Sequence, residues 1–349
     1  MVRRLTFSGT SVEWQPVRPK PFVTTVVLAL GALVAAAPAW ADGDDAGLGP
    51  ESPASPGADR IADTYWVITG FMALVFLAVF VPLVWFMVRY RRRGRPRFAD
   101  GPQVSGSMRL ELTWTLVPVG IVAVLIGFVV LALPSLNDFA KGFGGETEEI
   151  TVVGKRFYWN YEYPNGVLAV DRLRLPLGRN VKLDVTGGEN DVIHSFWVPA
   201  LGGKFDSIPG QTNTFYAVPT KRGTFEGVCG EFCGLEHTEM SITVEVLEAA
   251  EYDRWVRAEA ERQQAGTSEL GRQTFEGACA KCHGLAGEGD VGPRIAGSAL
   301  LDDRDALTRL LEQGRGRMPA VGAGWEQRQY DALFDYLDAE LGGGGDNGS

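Results

Sequence analysis

The sequence predicts a multidomain membrane protein: a two-helix transmembrane hairpin, then a β-sandwich, then an all-α segment. Three observations carry this. Two uncharged apolar runs, 66–88 and 113–133, each supply about the 20 residues needed to cross a hydrocarbon core. Between 149 and 247, short β-branched and aromatic runs alternate with Gly, Pro and Asn, the pattern of short strands joined by turns. From 266 to 341 helical patterning replaces it.

The chain opens with Arg3, Arg4, Arg18 and Lys20 ahead of the apolar run 22–37, and Ala39-Trp40-Ala41 supplies a small-x-small cleavage pattern. Residues 1–41 therefore read as a signal peptide, and 42–63, acidic and rich in Pro, Gly and Ser at its start, as a flexible segment. The hairpin occupies 64–136; Pro82 and Pro118 are compatible with spanning, because neighbouring helices satisfy the freed backbone groups. Between its two runs lie Arg89, Arg91, Arg92, Arg93, Arg95, Arg97 and Arg109 against only Asp100 and Glu111. Such a loop stays in the cytoplasm. Both termini and everything beyond residue 136 are then expected on the outer face of a bacterial cell membrane.

Strands are expected in 146–247 at 150–153, 157–163, 181–185, 214–218 and 242–246, arranged as an antiparallel sandwich or barrel. Residues 248–265 read as a helical linker, amphipathic through Tyr252, Trp255 and Val256. The all-α segment covers 266–342, with Ser268 as a helix cap and a closing helix over 325–341. The Gly-rich tail 343–349 is expected to be disordered.

The formal charge is −10, with no basic face outside the arginine cluster; this excludes a nucleic-acid partner. Only four Cys and three His occur in 349 residues. The cysteines form two close pairs, unlike a disulfide framework joining distant segments. One constellation is His194 with Cys229, Cys233, His237 and Met240. Its soft nitrogen and sulfur donors select copper or zinc. A closed tetrahedral zinc site of two Cys and two His is the competing reading; the methionine, the sandwich and the far-upstream histidine point to copper.

The second constellation is Cys279-Ala280-Lys281-Cys282-His283. This is the covalent c-type haem attachment pattern, in which two thiols add to the haem and the histidine ligates its iron. Met318 follows Gly314-Arg315-Gly316-Arg317, a stretch too polar for a core. It is the candidate second axial ligand.

The stretches His194-Ser195-Phe196-Trp197-Val198-Pro199, Phe205-Asp206-Ser207-Ile208-Pro209-Gly210 and Cys229-Gly230-Glu231-Phe232-Cys233-Gly234-Leu235-Glu236-His237-Thr238-Glu239-Met240 resemble subunit II of the haem-copper cytochrome c oxidases. With a class I cytochrome c segment fused behind, the chain is similar to the caa₃ type. The resemblance implies a cupredoxin-like domain holding the binuclear copper centre CuA. Cys229 and Cys233 would bridge the coppers, with His194 and Met240 on one, and His237 and the backbone carbonyl of Glu231 on the other. It further implies a magnesium ion at the Glu231 side chain, on the contact with subunit I, and a proton-uptake role for Glu111, ahead of Trp114-Thr115-Leu116-Val117-Pro118.

Electrons would pass from the c-type haem to CuA and on to a haem of subunit I, where O2 is reduced to water and protons are pumped. The implied partners are subunit I and other oxidase subunits, quinol-cytochrome c reductase or cytochrome c as donor, and the lipid bilayer. Where most of the family carries Trp-Tyr-Trp on the strand that receives electrons, this chain has Phe157-Tyr158-Trp159. That departure fits a donor tethered in the same chain. A free-standing membrane electron carrier, a subunit of a nitric or nitrous oxide reductase, and a copper-delivery protein are the other readings.

Overall fold

The computed structural model describes residues 49–91, 106–137, 147–266 and 269–342. The signal peptide, most of the arginine-rich loop, Ser268 and the Gly-rich tail lie outside the described residues.

Helix α1 spans Pro56–Arg89 and α2 spans Met108–Asn137. Both are long and apolar enough to cross a membrane. They extend past the apolar runs because their first turns are built by capping rather than by hydropathy. Ser55 Oγ accepts from Ala58 N at 3.1 Å, Pro56 takes the first helical position, and Asp59 sits in the first turn, each favourable at a helix N-terminus. At α2 the Glu111 carboxylate reaches back to accept from Ser107 N at 3.2 Å. Ser55 also ties the start of α1 to the β domain, its hydroxyl donating to Leu201 O at 2.7 Å. Large apolar side chains such as Phe76 and Val79 on α1, and Val122 and Ile126 on α2, stand exposed, as lipid-facing or partner-facing surface requires.

The β domain is a sandwich of two five-stranded sheets. Its strands are β1 Thr147–Lys155, β2 Tyr158–Glu162, β3 Leu168–Val170, β4 Arg172–Pro176, β5 Asn180–Gly187, β6 His194–Trp197, β7 Phe205–Ser207, β8 Thr212–Ala217, β9 Gly223–Cys229 and β10 Ser241–Leu247. One sheet runs β3-β2-β1-β5-β8 and the other β4-β10-β9-β6-β7. The antiparallel expectation holds for most pairs, but β1 with β5 and β4 with β10 are parallel. Parallel neighbours need long crossovers, and the chain between β1 and β5 carries three strands.

Strand β2 is aromatic because both of its faces are covered. Side chains alternate across a strand, so Trp159 and Tyr161 enter the core between the sheets, whereas Tyr158 joins the core of the following all-α domain. Helix α3, Ala249–Gln264, is docked along the sandwich and is no free tether. Tyr252 is buried and donates its hydroxyl to Glu148 at 2.9 Å, Arg179 grips Asp253 through two 2.7 Å bonds, and Gln263 Nε2 donates to Leu168 O at 2.7 Å.

The all-α domain has α4 Leu270–Phe275, a wide π-type turn Glu276–Ala280, a helical turn Lys281–His283, α5 Arg304–Gln313 and α6 Gln327–Glu340. Asp303 caps α5 by accepting from Ala306 N at 2.9 Å. Leu307 and Leu311 of α5 meet Leu333, Phe334 and Leu337 of α6 in the core, residues spaced three and four apart as a helix face demands.

Candidate metal centres

The first constellation forms at one end of the second sheet. Backbone pairing does the gathering: Phe196 of β6 is registered against Cys229 of β9, Gly230 N donates to Ser195 O at 2.8 Å, and Cys229 N donates to Met240 O at 3.0 Å. These bonds bring the ends of β6 and β9 and the start of β10 together, so three distant segments deliver their side chains to one point. The ligand atoms of His194, Cys229 and Cys233 all lie within 4.8 Å of one another. The two sulfurs are 4.0 Å apart, twice the length of a disulfide bond, and both cysteines are free. Cys233 Sγ is 3.5 Å from His237 Nδ1 and 3.8 Å from Met240 Sδ. Cys229 Sγ lies 3.2 Å from the carbonyl oxygen of Glu231. All six residues expected here are therefore adjacent.

Their electrostatics fit a soft cation. His194 is wholly buried, yet among the described residues neither ring nitrogen has a hydrogen-bond partner; Asp191 Oδ1 stands 3.9 Å from its Nε2, beyond hydrogen-bonding distance. Buried polar atoms are seldom left unpaired without a reason, and an ion is one such reason. The Cys233 thiol beside Cys229 holds the Cys229 thiol well below its ordinary range against the effect of burial, and Cys233 is pushed up in turn by its neighbour. The pair thus shares a proton that a metal would displace. For the Glu231 carboxylate the surroundings are different. It lies 3.5 Å from Lys204 Nζ, which also meets Asp206 at 3.1 Å, so one ammonium stands between two carboxylates.

The second constellation lines a cavity of about 830 Å³ bordered mostly by the all-α domain. Cys279, Cys282, His283 and Met318 all border it. Cys279 comes from the π-type turn and Cys282 and His283 from the helical turn that follows. His283 Nδ1 is 2.7 Å from Pro293 O; a carbonyl only accepts, so Nδ1 carries the proton and Nε2 is left for a metal. Burial pushes the Cys279 thiol up to about 12 and raises Cys282 as well. Both thiols are therefore held protonated and apolar beside the space. The donor set and the volume fit a c-type haem.

The residues that sequence reasoning missed lie where the two domains meet. Trp325 Nε1 donates to Tyr158 Oη at 2.7 Å, and Tyr158 Oη donates to Val321 O at 2.7 Å. Lys281, inside the haem-attachment motif, donates to Phe157 O at 2.9 Å and pairs with Asp171 at 2.6 Å. A side chain at Gly277 would reach within 2.5 Å of Val170, so only glycine permits the attachment turn to approach β3 this closely. The one available signal was the Phe157 departure itself.

Three family models match the chain. They describe the transmembrane domain of cytochrome c oxidase subunit II at residues 44–137, the periplasmic domain of the same subunit at 166–247, and cbb3-type cytochrome c oxidase subunit III at 267–337. Cytochrome c oxidase subunit 2 of Alkalihalophilus pseudofirmus is 35% identical over 284 residues, covering 77% of this chain and 79% of that protein. The Bacillus subtilis subunit is 30% identical over 249 residues, covering 67% and 69%. Among solved structures, the periplasmic domain of subunit II of cytochrome oxidase from Bradyrhizobium japonicum aligns at 31% identity with a TM-score of 0.32, over 34% of this chain and 98% of that one. The chain belongs to the cytochrome c oxidase subunit II family, with a cytochrome c domain fused behind its copper domain.

Proposed function

We propose that His194, Cys229, Cys233, His237, Met240 and the carbonyl of Glu231 would hold the CuA pair, and that Cys279 and Cys282 would bind haem c, with His283 and Met318 as the residues that would ligate its iron. The family role is electron input to a haem-copper oxidase, and copper and haem c are the cofactors its domains imply. When bound, the two groups supply one-electron transfer at a potential set by their ligands and surroundings. The chain's own contribution is positional. The β6–β9–β10 pairing anchors the segments that carry the donors, so little rearrangement accompanies a change of charge. Pro293 O holds the His283 ring in one tautomer, and Leu307, Leu311 and Leu333 give the cavity an apolar wall.

The finer assignments are part of the same reading. Residues 64–136 anchor the chain, 146–247 carry copper and 266–342 carry haem, with 1–41 removed on export. Arg89, Arg91 and the arginines after them face the cytoplasm, placing both metal domains outside. The Glu231 side chain reaches a magnesium ion at the contact with subunit I. Glu111 serves proton uptake by subunit I, and quinol-cytochrome c reductase or cytochrome c delivers electrons to the haem.

The observation that supports this most is the buried, unpartnered His194 ring beside two free thiols. Cys229→Ser in the purified oxidase tests it: the mixed-valence copper spectrum is lost and the c-haem absorption stays. Retention of the copper spectrum, or loss of both signals together, would overturn the assignment.

A further inference from the structure

The cavity that would take the haem is not closed by the cytochrome domain alone. Arg156, Phe157, Cys233, Gly234 and Leu235, all from the copper domain, form part of its wall. The wall's charge is one-sided. Arg156, Lys281, Arg294, Arg315 and Arg317 border the cavity and, among the described residues, no Asp or Glu does, although acidic residues outnumber basic ones, 43 to 33, in the whole chain. Lys281 is neutralised by Asp171. Among the described residues, no carboxylate lies within ion-pair distance of Arg294, Arg315 or Arg317. An apolar cavity rimmed by cations calls for an anionic ligand, and a haem carries two carboxylates.

Arg156 is the member that comes from the other domain. Its Nε meets Asp191 Oδ1 at 2.5 Å, and its backbone N–H donates to Asp191 Oδ2 at 2.9 Å. That contact fixes one edge of the guanidinium and leaves the remaining fork donors for a second anion. The same Asp191 oxygen is the one 3.9 Å from His194. Beside Arg156, the Phe157 ring lies on Gly234, where a Cβ would come within 3.1 Å of it, directly after Cys233.

We propose that the haem crevice is a composite site completed by the copper domain, in which Arg156 binds a haem carboxylate and Phe157 packs against the haem between it and the Cys233 turn. Phe157, in the turn between β1 and β2, is then a fit to an internal haem. The inference rests on the haem attachment proposed above. Arg156→Gln in the intact oxidase tests it by spectroelectrochemical titration of the haem, with the copper spectrum and covalent haem staining recorded on the same sample. Removing a positive charge that touches the haem favours its oxidised form, so the midpoint potential falls while staining and copper spectrum persist; Arg156→Lys falls by less. An unchanged potential with haem attached overturns the inference. So does an equal disturbance of the copper spectrum, because Arg156 would then act through Asp191 alone. A wild-type complex without covalent haem would instead overturn the attachment reading.

Discussion

Met318 is where a single side chain decides the most about the haem. It borders the cavity from the loop after α5, held there by a reciprocal backbone pair with Arg315 at 3.0 and 3.1 Å. A thioether bound to iron raises the potential of a c-type haem, whereas a packing methionine does not. Met318→Ala is expected to lower the haem midpoint potential and slow electron delivery to copper, without loss of covalent haem. A potential equal to wild type would reduce Met318 to a filler of space. The motif residues themselves were legible in the sequence because their chemistry is tied to spacing: Cys279, Cys282 and His283 sit on one turn, and Cys229 and Cys233 on one loop. Arg156 and Asp171 were not legible. Each is an ordinary surface-type residue until a distant segment arrives beside it.

Among the elements, β2 carries the most consequence. An aromatic strand in one domain would ordinarily bury one face, but Tyr158 and Trp159 are both fully buried because a second core covers the outer face. Tyr158 Oη joins Trp325 Nε1 to Val321 O. Tyr158→Phe leaves both of those groups buried without that partner, a cost of about 1–3 kcal/mol for each such group. Faster amide exchange in the 319–325 loop, with the copper spectrum preserved, is the expected result in the assembled oxidase. Exchange at the wild-type rate would show that β2 does not hold the cytochrome domain. The amphipathic helix α3 was foreseen as a linker and its helical character is correct, yet its apolar face is spent on the sandwich. Periodicity reveals that a face is apolar; it does not say which surface covers it.

For the whole molecule, the joined domains make a stability that depends on pH. Lys155 is buried, its ammonium donating to Ala323 O at 2.5 Å, and burial lowers its pKa from 10.5 to about 8 against the opposing attraction of Asp191. Between those values the unfolded chain holds a proton that the folded chain has released, so stability rises with pH across this window. Lys155→Met is expected to remove that rise and to raise the thermal midpoint near neutral pH, which melting curves at pH 7.5 and 9.5 would show. Equal pH dependence in both proteins would place Lys155 in solvent. The sequence by itself determined the membrane spans, the sandwich and the helical end domain, and its spacing grouped the two sets of candidate donors. Hydropathy runs, strand alternation and ligand spacing are local properties, fixed by neighbours along the chain. Only the tertiary structure decided that the cytochrome domain lies against β2, that α3 is docked, and that the copper domain helps to wall the cavity beside Cys279 and Cys282. Those facts depend on burial and hydrogen bonding between residues far apart in the chain, such as Tyr158 with Trp325 and Lys281 with Asp171, and no local pattern records which distant surface a residue will meet.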